Sequence, residues 1–190
     1  MHELEPFYAW RDYYIASEDK RSPFYGTRHS AFYFTNKIYN YLIHPQWDNF
    51  GSSTLYCKLL YVDYNQQFAV IELIGEWNDA LHNDIMELKT AIADKLAWHG
   101  VCRYMLIGEN VLNFHASDDL YYEEWYQEVM DEGGWIAAVN FRPHVIEEMQ
   151  QARIHNYVEL GAPFDDMQWR KVKPFHLCDV IETMILKRLG

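Results

Sequence analysis

Asn78, Asn113, His115, Asn140 and Arg142 each follow shortly after an apolar, strand-like run of the chain. Carboxamides both donate and accept hydrogen bonds, a guanidinium pairs with carboxylates, and an imidazole titrates near neutral pH. If those runs are parallel strands, the five residues gather at the carboxyl ends, where open α/β sheets bind ligands. Binding of a small polar ligand is the chemistry this pattern offers. Asn and Asp also cap helices and close turns, so a structural use accounts for the same positions.

Covalent and metal chemistry find less support. Ser117 lies two residues from His115 and beside Asp118 and Asp119. The Gly-x-Ser-x-Gly elbow that would expose a nucleophile is missing, so no catalytic residue is assigned. Asp79 with His82, and His144 with Glu147 and Glu148, have the spacing of one helical turn. A His-Glu-x-x-His motif and paired Glu-x-x-His units are absent, so no metal site is expected. Neither Gly-x-Gly-x-x-Gly nor a phosphate loop occurs, so no cofactor is expected.

A second cluster concerns partners. Between Tyr104 and Phe141 there is no Lys or Arg, while Glu109, Asp118, Asp119, Glu123, Glu124, Glu128, Asp131 and Glu132 supply eight acids. The same stretch carries Tyr121, Tyr122, Trp125 and Tyr126. Successive helical residues turn by about 100°, so these rings span too wide an arc for one core stripe. They form a candidate interaction surface for a basic or aromatic partner. The alternative is a solvated acidic face with its rings covered by another part of the chain.

The elements that must position these residues follow from apolar periodicity. Leu55–Val62 and Phe68–Gly75 read as strands of a hairpin joined by Asp63-Tyr64-Asn65-Gln66-Gln67. If Val62 opposes Phe68, then Leu60 opposes Val70 and Lys58 opposes Glu72. Leu81, Ile85, Leu88, Ile92 and Leu96 form one helical stripe that ends at Gly100. A strand at Arg103–Ile107 precedes a loop through Asp119, and Ser117 or Asp118 caps the acidic helix, which stops at Gly133-Gly134. Trp135–Val139 is a strand, Pro143 opens a helix to about Arg153, residues 155–160 form a last strand, and Pro174 opens a helix to Leu189.

The expected fold is α/β: a mixed sheet with an opening antiparallel hairpin, then alternating helices and strands. Residues 1–53 are read as an aromatic-rich arm packed on the body, and residues 54–190 as the α/β domain. Whether residues 30–43 form strand or helix is open. Against 28 Asp and Glu stand 16 Lys and Arg, a net charge of −12 that disfavours nucleic acid and anionic membranes as partners. Three widely spaced cysteines and no apolar leader point to a reducing, cytoplasmic setting.

The run Phe68-Ala-Val-Ile-Glu-Leu-Ile-Gly-Glu-Trp, the helix ending Trp98-His-Gly, the strand Arg103-Tyr-Met-Leu-Ile-Gly and the loop Val111-Leu-Asn-Phe-His-Ala-Ser-Asp-Asp together resemble the STAS / SpoIIAA-like superfamily, over roughly residues 55–189. The family's anti-sigma-factor antagonists carry a phosphorylated serine in an Asp-Ser-Ser-Gly motif, for which only Ser117 is available here, without the preceding Asp or following Gly. Asp118 and Asp119 would repel a phosphate, so Ser117 is expected to cap its helix. The resemblance implies a non-enzymatic regulatory or protein-interaction module with a protein partner, and exposed aromatics would also allow a homodimer. The alternative is a small-molecule-binding protein or hydrolase using the edge around His115.

Overall fold

The computed structural model describes residues 3–189. Strands β3 (Leu55–Asp63) and β4 (Phe68–Asn78) are apolar along nearly their whole length because both faces of their sheet are covered. β5 (Arg103–His115) and β6 (Trp135–Val139) complete it in the order β3-β4-β5-β6. β3 and β4 are antiparallel, whereas β4–β5 and β5–β6 are parallel, so the fold is α/β with a mixed sheet. Two short strands, β1 (Lys37–Ile38) and β2 (Tyr41–Leu42), make a separate hairpin within residues 30–43.

One sheet face, with Leu59, Ile71, Tyr104 and Ile136, packs on the helices that connect the parallel strands. These are α1 (Asp79–His82), α2 (Asp84–Leu88), α3 (Asp94–Ala97) and α4 (Leu120–Asp131), followed by α5 (Pro143–Gln151). The other face, with Leu60, Val70, Met105 and Val139, lies under Trp10 of the arm, Trp169, and Leu177 and Ile181 of α6 (Pro174–Leu189). The arm closes one end by burying Ile38, Ile43 and Trp47 against Tyr56 and Ile74. Gly75 permits this approach: a Cβ there would lie 2.1 Å from the Thr54 carbonyl oxygen and 2.8 Å from Ile38, and its φ is +122°.

Several boundaries differ from the sequence reading. Asp63 pairs with Phe68, one residue off the expected register, and a bulge at Leu60 restores Lys58 opposite Glu72. The stripe Ile85, Leu88, Ile92 and Leu96 is buried, but Leu81 is 78% exposed. Asn83, with φ +51°, breaks the helix after Leu81, so Leu81 lies on a separate turn. A π-helical turn, Lys89–Ala93, then joins α2 to α3.

β5 runs to His115 because β4 continues to hydrogen-bond it through Asn78. The loop expected after Ile107 is therefore mostly strand. Asp119, two residues beyond Ser117, occupies the N-cap of α4, and exposed Ser117 does not cap the helix. Residues 155–160 contribute one parallel bridge, Glu159 with Ala137, because a 3-10 turn at Ile154–Asn156 consumes the start of the segment.

Candidate functional site

The five residues expected to share a ligand are divided among separate networks. Asn78 is buried, opposite His115 in the β4–β5 ladder, and its side chain accepts the Leu81 N–H as the N-cap of α1. Asn113 donates to Glu76 at 3.1 Å. His115 is exposed on a broad, shallow recess with Phe114, Glu148 and Gln151, and it is the only one of the five on that recess. Trp77 is 1% exposed and packs with Phe114, Tyr122 and Phe141, filling the space beneath this edge.

β5 outruns β6 by the length of Gly108–His115, and α5 supplies the missing pairing. His144 Nε2 lies 2.6 Å from the Leu112 carbonyl, and Glu148 accepts the Phe114 N–H at 3.1 Å. The one-turn His/Glu spacing thus serves a strand edge. Among the described residues no three His, Cys, Asp or Glu side chains converge as a metal-binding group.

Asn140 and Arg142 turn instead toward Glu109. Glu109 accepts from Asn140 at 2.9 Å, Trp169 Nε1 at 2.8 Å and both terminal nitrogens of Arg170, at 2.9 and 2.6 Å. Arg142 reaches only the Glu109 carbonyl, at 3.4 Å. Burial opposes ionisation of Glu109, but Arg170 and the neutral donors outweigh it and hold the carboxyl below its ordinary range. Glu72, two residues before Ile74 on the neighbouring strand, is 2% exposed, accepts the Phe7 N–H at 2.8 Å and lies 3.9 Å from Arg170. Burial pushes its carboxyl up to about 7, against the lowering effects of the Phe7 N–H and Arg170. Glu109, Glu72 and Asn140 are spoken for by protein partners, while Arg142 stays exposed, and the arrangement ties the arm, β4, β5 and the Trp169 turn together.

Asp79 and Asp84 form a second buried acidic pair. Asp79 accepts from Trp77 Nε1, the Ile85 N–H and Tyr122 OH, and Asp84 accepts the Asn78 N–H at 2.7 Å. Burial raises Asp79 to about 6 despite these donors. Their partners identify them as anchors of the break at Asn83.

The acidic helix α4 is arranged differently from expectation. Tyr122 and Trp125 are each 2% exposed and belong to the core, while Tyr121 packs half-buried against it. Tyr126 is half-buried in edge contact with Tyr157. The open face of α4 carries its acids together with exposed Leu120, Gln127 and Met130, and the acids are partly neutralised by a residue the stripe overlooked. Lys89, carried inward by the π turn and 2% exposed, lies 2.8 Å from Asp94 and 3.0 Å from both Glu124 and Glu128.

The most exposed large ring near α4 is Trp98, at 87%. It separates two grooves. One, of about 490 Å³, has Trp125 and Val129 at its base and Glu128, Asp131 and Glu132 along its rim. The other, of about 400 Å³, is bordered by Lys20, Arg21, Lys95 and His99, with Asp94 the one acid in its lining among the described residues. Lys20 and Arg21 come from the arm, at the start of an acid-free run over residues 20–47, and Lys95 and His99 come from α3 and the turn that ends it. That acid-free run is visible in the sequence; its position beside Trp98 is not.

A further recess lies beneath the arm. About 220 Å³ in volume, it is lined by Phe7, Trp10, Arg11, His29, Lys58 and Leu60 among others. His29 Nε2 is 2.6 Å and Lys58 Nζ 3.0 Å from the buried carboxylate of Asp48.

The chain matches no protein-family model and no curated protein.

Proposed function

We propose that the protein is a non-enzymatic interaction module that acts as a symmetric dimer through the ridge centred on Trp98. The observation that carries this reading is the side-by-side placement of an acidic and a basic groove about one exposed tryptophan. A two-fold interface brings the same patch together from both copies, so residue i meets residue j and j meets i. Here the rotation sets Glu128, Asp131 and Glu132 of one copy against Lys20, Arg21 and Lys95 of the other. Each Trp98 then enters its partner's groove, and aromatic anchors in such grooves dominate interface energies. The resemblance to STAS-like regulatory modules supports the same reading. The net charge of −12 favours a protein partner over nucleic acid or anionic lipid, and three free, buried cysteines suit a cytoplasmic setting.

Sedimentation velocity across protein concentration and ionic strength tests the proposal. The wild-type chain should dimerise, more weakly as salt rises, and Trp98→Ala should be monomeric with an unchanged circular dichroism spectrum and a melting temperature no longer dependent on protein concentration. Lys20→Glu/Lys95→Glu and Asp131→Lys/Glu132→Lys variants should each be monomeric alone and associate when mixed. A wild-type chain that stays monomeric at all concentrations, or a Trp98→Ala chain that dimerises normally, refutes it.

A further inference from the structure

We propose that the recess beneath the N-terminal arm binds a small organic carboxylate, with Arg11 and Lys58 holding the anion, His29 at the wall, and Phe7, Trp10 and Leu60 enclosing an apolar body. In a chain of net charge −12, three basic side chains from three separate segments converge on one cavity of about 220 Å³. Among the described residues no Asp or Glu lines it, the Asp48 carboxylate standing behind His29 and Lys58. Such local reversal of charge is what an acidic protein needs to admit an anion.

The basic groups are also held in place. Asp48, 2% exposed, fixes His29 through one carboxylate oxygen at 2.6 Å and Lys58 through the other at 3.0 Å. Lys58 also donates to the Gln46 carbonyl at 2.9 Å, and Arg11 donates to the Gln46 side chain at 3.3 Å. An ammonium has three protons and a guanidinium five, so both retain donors beyond these contacts. Asp48 offsets part of this positive charge, and the recess stays net positive. Pre-positioned donors lower the ordering cost of binding, and Arg and Lys together recognise a carboxylate by charge-assisted hydrogen bonds.

The walls define the rest of the ligand. Trp10 and Leu60 are buried, and Phe7 stands edge-on to Trp10 with ring centroids 5.1 Å apart. A flat apolar body of benzene-ring size suits this volume, which is smaller than a typical drug pocket. The exposed residues Arg11 and Ile15 lie at the mouth, so entry requires no unfolding of the arm.

Calorimetric titration of the full chain with benzoate tests this, with benzamide as the neutral isostere and inorganic phosphate as an anion without an apolar body. Benzoate should bind saturably and raise the melting temperature, while benzamide and phosphate should not. Arg11→Ala, at an exposed position, should weaken benzoate binding about tenfold or more and leave the melting temperature of the free protein unchanged. Absence of benzoate binding, equal binding of benzamide or phosphate, or wild-type affinity in Arg11→Ala overturns the proposal. A perturbed Trp10 indole N–H resonance on adding benzoate should place the ligand in this recess; an unperturbed one overturns that placement.

Discussion

Lys58 and Glu72 stand directly opposite each other across the β3–β4 hairpin, yet each gives its charge to the N-terminal arm. Lys58 Nζ lies 3.0 Å from Asp48 and donates to the Gln46 carbonyl, whereas Glu72 accepts the Phe7 N–H. This face of the sheet is covered, so Glu72 is cut off from water and Lys58 is half-buried, and both need fixed partners. The arm provides them from two separate points, one carboxylate and one backbone amide. That division places Glu72 beneath Phe7 and Arg170 and leaves Lys58 at the wall of the recess.

The first prediction concerns Glu72. Burial raises its folded carboxyl to about 7 from an ordinary value of 4.5. Between those values the folded chain holds a proton that the unfolded chain has released, so stability falls as pH rises through this window. Glu72→Gln removes the charge and can retain an acceptor for Phe7. It should match the wild type below about pH 4 and exceed its stability by about 2–3 kcal/mol at about pH 8. Chemical denaturation at several pH values checks this; parallel pH profiles for the two chains would refute it.

Lys89 provides the second. It is enclosed by the π turn while its three acidic partners remain 40, 56 and 48% exposed at the side chain. Their exposure lets water take over when the lysine is removed, which limits the electrostatic loss. Lys89→Met keeps the packed stem and should cost only about 1 kcal/mol. Lys89→Ala also opens a cavity and should cost about 2–3 kcal/mol. Urea melts of both variants separate packing from charge, and equal losses would show that charge alone matters.

The third tests the arm. Phe7, Trp10 and Trp169 form a triangle of edge-on rings with centroids 4.9–5.3 Å apart over the second sheet face. Trp10→Ala should lower stability by about 3–5 kcal/mol. Removing the first 30 residues strips this cover and also Phe24, and should leave an aggregating or strongly destabilised chain. A truncated chain that stays in solution with the wild-type melting temperature would contradict this. Covering is only part of the arm's surface: Phe32, Tyr33, Tyr39 and Tyr41 are 55–86% exposed, unlike the packed aromatic strip the sequence leads one to expect.

The sequence by itself determined the local elements. Apolar runs with Gly and Pro punctuation are short-range signals, and they located the hairpin, β6, α5, α6 and the buried stripe from Ile85 to Leu96. They also placed Lys58 opposite Glu72, although by a register in which the turn was one residue off and the Leu60 bulge compensated. Tertiary structure decided where charges and rings ended up. Asn78, Asn113, Asn140 and Arg142 were absorbed by caps and by Glu76 and Glu109, because a polar group near a buried strand end takes the nearest partner. Tyr122 and Trp125 went into the core because α4 lies over Tyr104, with the Tyr104 and Trp125 ring centroids 5.0 Å apart. Lys89 faces inward because a π turn alters the helical phase, which a strict 3.6-residue stripe does not register. The ridge at Trp98 and the recess beneath the arm join residues far apart in the chain, and only long-range packing brings their opposite charges and rings together.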